Sequence, residues 1–443
     1  MYYAISEALL LYSAYLPGSW AFFNPLHHSG PASPYFDAPS VFGIPFETPA
    51  GCIVEKAAYI VRHGARFPEP GSFQGWQSLF AKFQNATYVA SGPLSFIPSW
   101  VPPIDDQPHE PLFMTSAGAN EAFSLGAQLR QRYGFTKGGD NLTVWTAGQQ
   151  RVIDTATHFL RGYLSQGDYL SAPEFNRGNL VILPDSVNTT GADSLTASAA
   201  CPAYSGNDEN EWLDYEYAHD LNYYYGSGPG NNLAATTAFP WVKAITNLLV
   251  AETNSTVENG SFNPSPLLMG FTHDNNIPPV IAALGLLNSS QEPGVFPLSP
   301  TTPDPRRTFR ASHLVNFLGH ISLERLSCEA PLAQSVQHII GQLVPIPGNG
   351  VHARKFVRIR VNNAPVPIPS CTSGPGASCP LADFAHHVNG QLAARAGDFV
   401  ERCGLTSVVG APDVVDFYVD PESRLANTTQ LLLVIDVPGG PST

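Results

Sequence analysis

Four short apolar runs, Lys56–Val61, Asn141–Thr146, Leu180–Leu183 and Leu267–Thr272, constrain this chain more than any other feature. Each has strand length and β-prone content, and none extends far enough to be a buried helix. Between the first two lies a helix-patterned segment. Thr115 or Ser116 can cap a helix running to about Tyr133, with Ala122, Leu125, Leu129 and Tyr133 on one face and Gly134 as its stop. A second helix is expected from Gln149 to Leu164, with Arg151 in its first turn. Strands alternating with helices predict an α/β fold, a central sheet flanked by helices. Gly319–Leu326 and Lys355–Val361 alternate well enough to be half-exposed strands, so both ends of the chain feed one domain.

Three of the runs end in polar chemistry. The first meets Arg62-His63-Gly64-Ala65-Arg66-Phe67-Pro68, and Pro68 and Pro70 forbid its continuation as a strand. The second leads to Arg151, and the fourth to His273-Asp274. Strand ends in open α/β sheets are where ligands bind. Two guanidiniums around one imidazole suit a group that meets a phosphate dianion and attacks it, because each arginine offers a planar fork of donors. A neutral imidazole nitrogen is a competent nucleophile whose phosphorylated form is still open to water. His273 can donate to a phosphate oxygen, and Asp274 can deliver a proton to the departing alcohol. Asp274 or Asn275 can equally cap a helix beginning near Ile277, and the two roles are compatible.

Other function classes are disfavoured. A net charge of −14, without any block of Lys or Arg, argues against a nucleic-acid partner. No apolar run approaches the roughly 20 residues of a membrane span. Seven Asn-X-Ser/Thr sites, at Asn85, Asn141, Asn188, Asn254, Asn259, Asn288 and Asn427, fit a secreted, extracellular glycoprotein. Six cysteines without a C-x-x-C pair fit disulfides better than zinc, although six cysteines allow fifteen pairings and only the short Cys371 to Cys379 loop has independent appeal. The leader is awkward: Ala8-Leu9-Leu10-Leu11-Tyr12 is apolar but has no basic residue before it, so the leader is either atypical or missing.

Taken together, R-H-G-A-R-F-P at 62–68, Arg151 within Thr146–Val152, and T-H-D-N-N-I at 272–277 resemble the histidine acid phosphatases. The likeness is to the secreted fungal branch of acid phosphatases and phytases, nearest the acid-optimum acid phosphatase type. It extends through Gly191–Leu195, Asp220–Tyr225, Leu323–Cys328 and Cys371–Pro380, covering most of residues 45 to 405. The resemblance implies His63 as the phosphorylated nucleophile and Asp274 as the general acid. It implies Arg62, Arg66, Arg151 and His273 as the phosphate cradle, and no metal or other cofactor. It also implies disulfides Cys52 to Cys328, Cys201 to Cys403 and Cys371 to Cys379.

On this reading residues 1–45 are an irregular arm, 46–185 and 262–443 are the two parts of the α/β domain, and 186–261 are a smaller helical cap. The cap is shortened relative to the family between Cys201 and Glu209. The partner is a small-molecule phosphate monoester, with a homo-oligomer left open. Glu69–Gln74 has no lysine to favour a highly charged inositol phosphate, so broad monoester hydrolysis ranks above dedicated phytase activity. Two alternatives stand beside it. One is a mutase-like phosphotransferase, since such enzymes also begin their motif with R-H-G. The other is a secreted phosphate-binding protein that does not turn over.

Overall fold

The structure is a computed structural model, and it describes residues 23–135, 142–164, 178–183, 209–251, 266–288, 293–331, 335–339, 342–346 and 351–404, together with 406, 415, 418 and 433–435. The first-read strand is β1 (Cys52–Arg62), followed by β2 (Leu142–Ala147), β3 (Gly178–Leu183) and β4 (Leu267–Thr272). Later come β5 (His320–Pro331), a separate hairpin of β6 (Ser335–Ile339) and β7 (Gln342–Ile346), then β8 (Val351–Val361), β9 (Ala364–Val366), β10 (Cys379–Pro380) and β11 (Leu433–Ile435). Among the described residues nine strands form one sheet in the order β10-β8-β5-β1-β4-β2-β3-β11, with β9 paired to β8. Its centre, β1-β4-β2-β3, is parallel, and antiparallel strands complete both sides.

Side chains on successive strand residues point to opposite faces. Ala57, Tyr59 and Val61 of β1, with Met269 and Phe271 of β4, join one apolar layer. That layer is closed by α2 (Ser116–Tyr133) and α3 (Gln150–Leu164), which follow α1 (Pro70–Asn85) in the chain. Ala58, Ile60 and Leu268 join the opposite layer, closed by α4 (Glu209–Gly226), α5 (Ala234–Val250), α6 (Ile277–Ala283) and α7 (Leu381–His387). The result is a sheet with helices on both faces.

The helix read from Ser116 to Tyr133 has the expected ends. The Thr115 hydroxyl accepts from the Gly118 amide, and Gly134 adopts the left-handed conformation at φ 57°. Residue 162 has to be glycine, because a Cβ there would lie 1.9 Å from the Phe123 carbonyl oxygen where α3 crosses α2.

The late strands depart from expectation. Residues 320–326 of β5 and 356–361 of β8 are buried throughout rather than half-exposed. Their alternation is real, with Ile321, Leu323, Val357 and Ile359 in the apolar layer. The opposite, polar row is covered too. Glu324 accepts from Tyr133, Arg358 and Arg360 at 2.6, 2.7 and 3.0 Å, and the two arginines donate onward to the carbonyls of Glu47 and Phe46 at 2.7 and 2.6 Å. Residues 46 and 47 of the N-terminal segment therefore roof a face that would otherwise meet water.

Cys52–Cys328 and Cys371–Cys379 are disulfide-bonded, as the resemblance implied. Cys201 lies outside the described residues, as do the leader, the segment after Cys201 where the cap was expected to be short, and the sequons at Asn141, Asn188, Asn254, Asn259 and Asn427. No described helix is long and apolar enough to cross a membrane.

Candidate active site

The site begins with strand register. β1 and β4 run parallel with Arg62 opposite Thr272, so the next residues, His63 and His273, leave the sheet side by side. The His63 amide donates to the Thr272 carbonyl at 2.9 Å, carrying the pairing one residue further. The two imidazoles stand edge to face with centroids 5.6 Å apart. On the other side of β1, the Arg62 amide donates to the Gly319 carbonyl at 2.8 Å, and the Leu318 amide donates to the His63 carbonyl at 3.1 Å. His63 is thus held from both neighbours and is 1% exposed.

The ring orientation of His63 is set by its own loop. Its Nδ1 lies 2.9 Å from the Gly64 carbonyl oxygen, which only accepts, so Nδ1 carries the hydrogen and Nε2 carries the lone pair. Burial, then the charges of Arg62 and Arg151, hold the imidazole well below its ordinary pKa, which favours its neutral form. The loop is in turn fixed by two helices. Thr155 of α3 accepts from the Gly64 amide at 3.0 Å, and the start of α2 seats on Ala65, where a Cβ on Gly118 would lie 2.2 Å from the Ala65 carbonyl oxygen.

Arg62 is 2% exposed and lies 4.4 Å from the centroid of the Phe317 ring. Its Nη1 donates to the carbonyls of Pro31 and Val315, so the N-terminal arm grips this guanidinium. Its Nη2 lies 3.0 Å from Asp274 Oδ2. Arg66 donates to the Phe67 carbonyl at 2.9 Å and pairs with Glu69 at 3.0 Å. Arg151 projects from the first turn of α3, where burial and then the charge of Arg66 bring its pKa down to about 10. His273 is lowered to about 4, by burial and then by Arg151.

Four buried nitrogens in this cluster, the Nε atoms of Arg62, Arg66 and Arg151 and Nε2 of His273, have no hydrogen-bond partner among the described residues. The three guanidinium Nε–H groups are donors, and the His273 nitrogen is one when it carries the ring hydrogen; buried donors are costly unless something accepts from them, and a tetrahedral oxyanion is such an acceptor. Asp274 lies at the same place. Burial raises its pKa, yet the Arg62 charge, a hydrogen bond from Tyr223 and nearby His273 bring it below the ordinary carboxylate value. Asp274 Oδ1 also accepts from the Asn275 amide at 2.9 Å and opens a short 3-10 turn, while Asn276 occupies the cap position of α6.

All six residues named from the sequence therefore meet in one place. Beside them opens a cavity of about 480 Å³, walled by Glu69, Pro70, Leu112, Phe113, Gln150 and Arg151. Its apolar wall was not read from the sequence, since Leu112 and Phe113 precede α2 in a segment with no periodic signal. Tyr223 lies within the run Asp220–Tyr225, and nothing in that run signals its electrostatic coupling to Asp274.

The model of the histidine phosphatase superfamily (branch 2) matches residues 53–209 and 205–360. Acid phosphatase PHO1 of Komagataella pastoris is 26% identical over 465 residues, covering 90% of this chain and 90% of that protein. Phytase PHO112 of Candida albicans matches at the same identity and coverage. Among solved structures, the phytase from D. castellii superposes with a TM-score of 0.70 at 22% identity, covering 92% of this chain and 93% of that one.

Proposed function

The chain belongs to branch 2 of the histidine phosphatase superfamily, and from that premise we propose that it is a secreted acid phosphatase acting on phosphate monoesters through a phosphohistidine at His63. One observation carries the reading: the lone-pair nitrogen of a buried imidazole shares its site with four buried nitrogens that have no hydrogen-bond partner among the described residues. Arg62, Arg66, Arg151 and His273 would hold the phosphoryl oxygens and offset their charge as it redistributes. His63 Nε2 forms the P–N bond as the P–O bond to the alcohol breaks, and Asp274 delivers a proton to that departing oxygen. Water then attacks the phosphohistidine, Asp274 takes up the water's proton, and inorganic phosphate leaves.

Asp274 must carry a proton to serve as the donor, and its carboxyl is held below the ordinary carboxylate value in the free site, so acid conditions favour the form that can donate. A phosphate bound beside Asp274 counters the pull of the Arg62 charge on the carboxyl and so favours its protonated form. Activity at acid pH follows from this coupling.

The wall of the neighbouring cavity supports a broad monoesterase over a dedicated phytase. Glu69 is acidic, and Pro70, Leu112 and Phe113 offer apolar surface suited to an aryl or alkyl leaving group. Secretion and N-glycosylation are supported by the sequons, of which Asn85 is exposed at the end of α1 while Asn288 accepts from Tyr224 at 3.0 Å. We retain the division into an arm, a two-part α/β domain and a cap over residues 186–261 as part of this proposal.

The test is a trapping experiment. Brief reaction with a 32P-labelled aryl phosphate, stopped in alkaline detergent, should label the chain, and a peptide containing His63 should carry the label. His63→Ala should abolish both label and phosphate release. Turnover with no label, or a label on another residue, would overturn the mechanism, and binding without turnover would favour a phosphate-binding protein.

A further inference from the structure

Thr155 has no part in the six-residue constellation, yet its hydroxyl meets the backbone just after the nucleophile. Gly64 follows His63 directly and packs against the start of α2 so closely that a Cβ there would lie 3.0 Å from the Gly118 carbonyl oxygen. The same lack of a side chain leaves its backbone freer than that of any other residue, so contacts must supply the restraint. They come from both ends of one peptide group. The His63 carbonyl accepts from the Leu318 amide at 3.1 Å, and the Gly64 amide donates to Thr155 Oγ1 at 3.0 Å. Turning that peptide group would break both bonds and carry away the Gly64 carbonyl oxygen, 2.9 Å from His63 Nδ1, that sets the ring.

Thr155 is fully buried, and its bonding pattern is fixed. Its one hydrogen goes to the Arg151 carbonyl at 2.6 Å, an atom that can only accept, which leaves a lone pair for the Gly64 amide. That bond to the residue four positions back anchors the hydroxyl to α3, whose first turn also carries Arg151.

We propose that Thr155 is a positioning residue for the nucleophile: its hydroxyl clamps the peptide group between His63 and Gly64 and so holds the imidazole with Nε2 directed at the phosphoryl group. The inference rests on His63 being the phosphorylated residue. Attack on phosphorus needs the nitrogen lone pair in line with the departing oxygen, and small errors of aim are costly. The guanidiniums of the cradle belong to other residues, so loss of the hydroxyl misdirects attack more than it weakens the hold on phosphate.

The experiment compares the full chain with Thr155→Val, Thr155→Ser and Thr157→Val. Single-turnover labelling by a 32P-labelled aryl phosphate gives the rate of phosphohistidine formation, and competition by inorganic phosphate gives Ki. Valine keeps the outline of threonine but leaves the Gly64 amide buried and unpaired. Its labelling rate should fall by about 10- to 100-fold while Ki changes by less than about threefold, the mark of lost aim rather than lost binding. Serine retains the hydroxyl and should bring the rate back to within about threefold. Thr157→Val removes a bond of the same kind on the same helix, to the Ile153 carbonyl at 2.8 Å, and should leave rate and Ki unchanged. An unchanged rate in Thr155→Val, parallel losses of rate and affinity, a serine variant as slow as the valine one, or a like loss in Thr157→Val would overturn the proposal. Should Thr155→Val fail to fold, Thr155→Ala takes its place under the same criteria. If the natural chain traps no label on His63, the nucleophile assignment fails and the role of Thr155 falls with it. If the natural chain and Thr155→Val label His63 equally fast, only the present inference fails.

Discussion

The buried acids behind the site make stability itself dependent on acidity. Glu216 and Asp220 are both fully buried on α4 and share Arg307. Glu216 also touches Arg310 at 3.1 Å and His28 at 3.3 Å, whereas among the described residues Asp220 meets Arg307 and the Ala311 amide, at 2.5 and 2.6 Å. Burial opposes ionisation of Glu216, but His28 and Arg310 bring its pKa down to about 2. Asp220 is pushed up to about 7, by burial first, against the pull of Arg307, with the Glu216 charge adding to the rise.

A carboxyl raised from 3.8 to about 7 binds its proton more tightly in the folded chain. Its contribution is therefore complete below the unfolded value and is lost as pH climbs through the folded one. At about 1.36 kcal/mol per pH unit this amounts to about 4 kcal/mol between pH 4 and 7.5. With an unfolding entropy of about 2.1 cal/mol/K per residue, the scale for this chain is about 1 °C per kcal/mol. Asp220→Asn cannot titrate. Calorimetry at pH 4 should find it level with the natural chain or about 1–3 kcal/mol weaker, because the amide faces Arg307 with a poorer acceptor. By pH 7.5 the difference should have moved about 4 °C in favour of the variant, and the two curves should meet or cross. Parallel curves of Tm against pH would refute the assignment of this titration to Asp220.

Two further substitutions probe the cavity wall and the sheet. Glu69→Lys reverses a charge beside Arg66 and should raise the ratio of kcat/KM for phytate over 4-nitrophenyl phosphate by about tenfold, as expected for a charge change of two facing a polyanion in a wet site; a ratio that stays level or falls would remove Glu69 from the control of selectivity. Cys52→Ser opens a disulfide that joins directly paired residues of β1 and β5 across 276 positions, so denaturant unfolding should show a loss of about 2–5 kcal/mol, while kcat/KM of the folded fraction stays within twofold.

How far the sequence carries depends on whether a feature is made by neighbours in the chain or by remote contacts. The strand before His63 is legible because its apolar run is local, and α2 because Thr115 and Gly134 mark its ends. The same local reading stops the strand before Pro68 and Pro70 but gives no sign of α1 beyond them. Pro70 occupies the first helical position, where its missing amide costs nothing. It also fails for the exposure of β5 and β8, since the roof over their polar row comes from residues 46 and 47. The six site residues are legible as chemical types at strand ends, but two features of their surroundings are not. The grip of Pro31 on Arg62 and the electrostatic coupling of Tyr223 to Asp274 join distant segments and leave no periodic trace in the sequence.

The meeting of the two remote motifs is itself a consequence of core packing. Along β1, Ala57, Tyr59 and Val61 must face the layer of α2 and α3, while Ala58 and Ile60 face the layer of α5 and α6. β4 carries the same requirement, with Met269 and Phe271 on one side and Leu268 on the other. A slip of one residue between the strands would send every one of these side chains of the slipped strand to the wrong layer. Because both faces are apolar, the cost of repacking cannot be avoided by turning one face to water. That cost fixes Arg62 opposite Thr272, and the residues just beyond them are the nucleophile and His273 with Asp274. The apolar residues that never touch substrate thus set the distance on which the proposed chemistry depends.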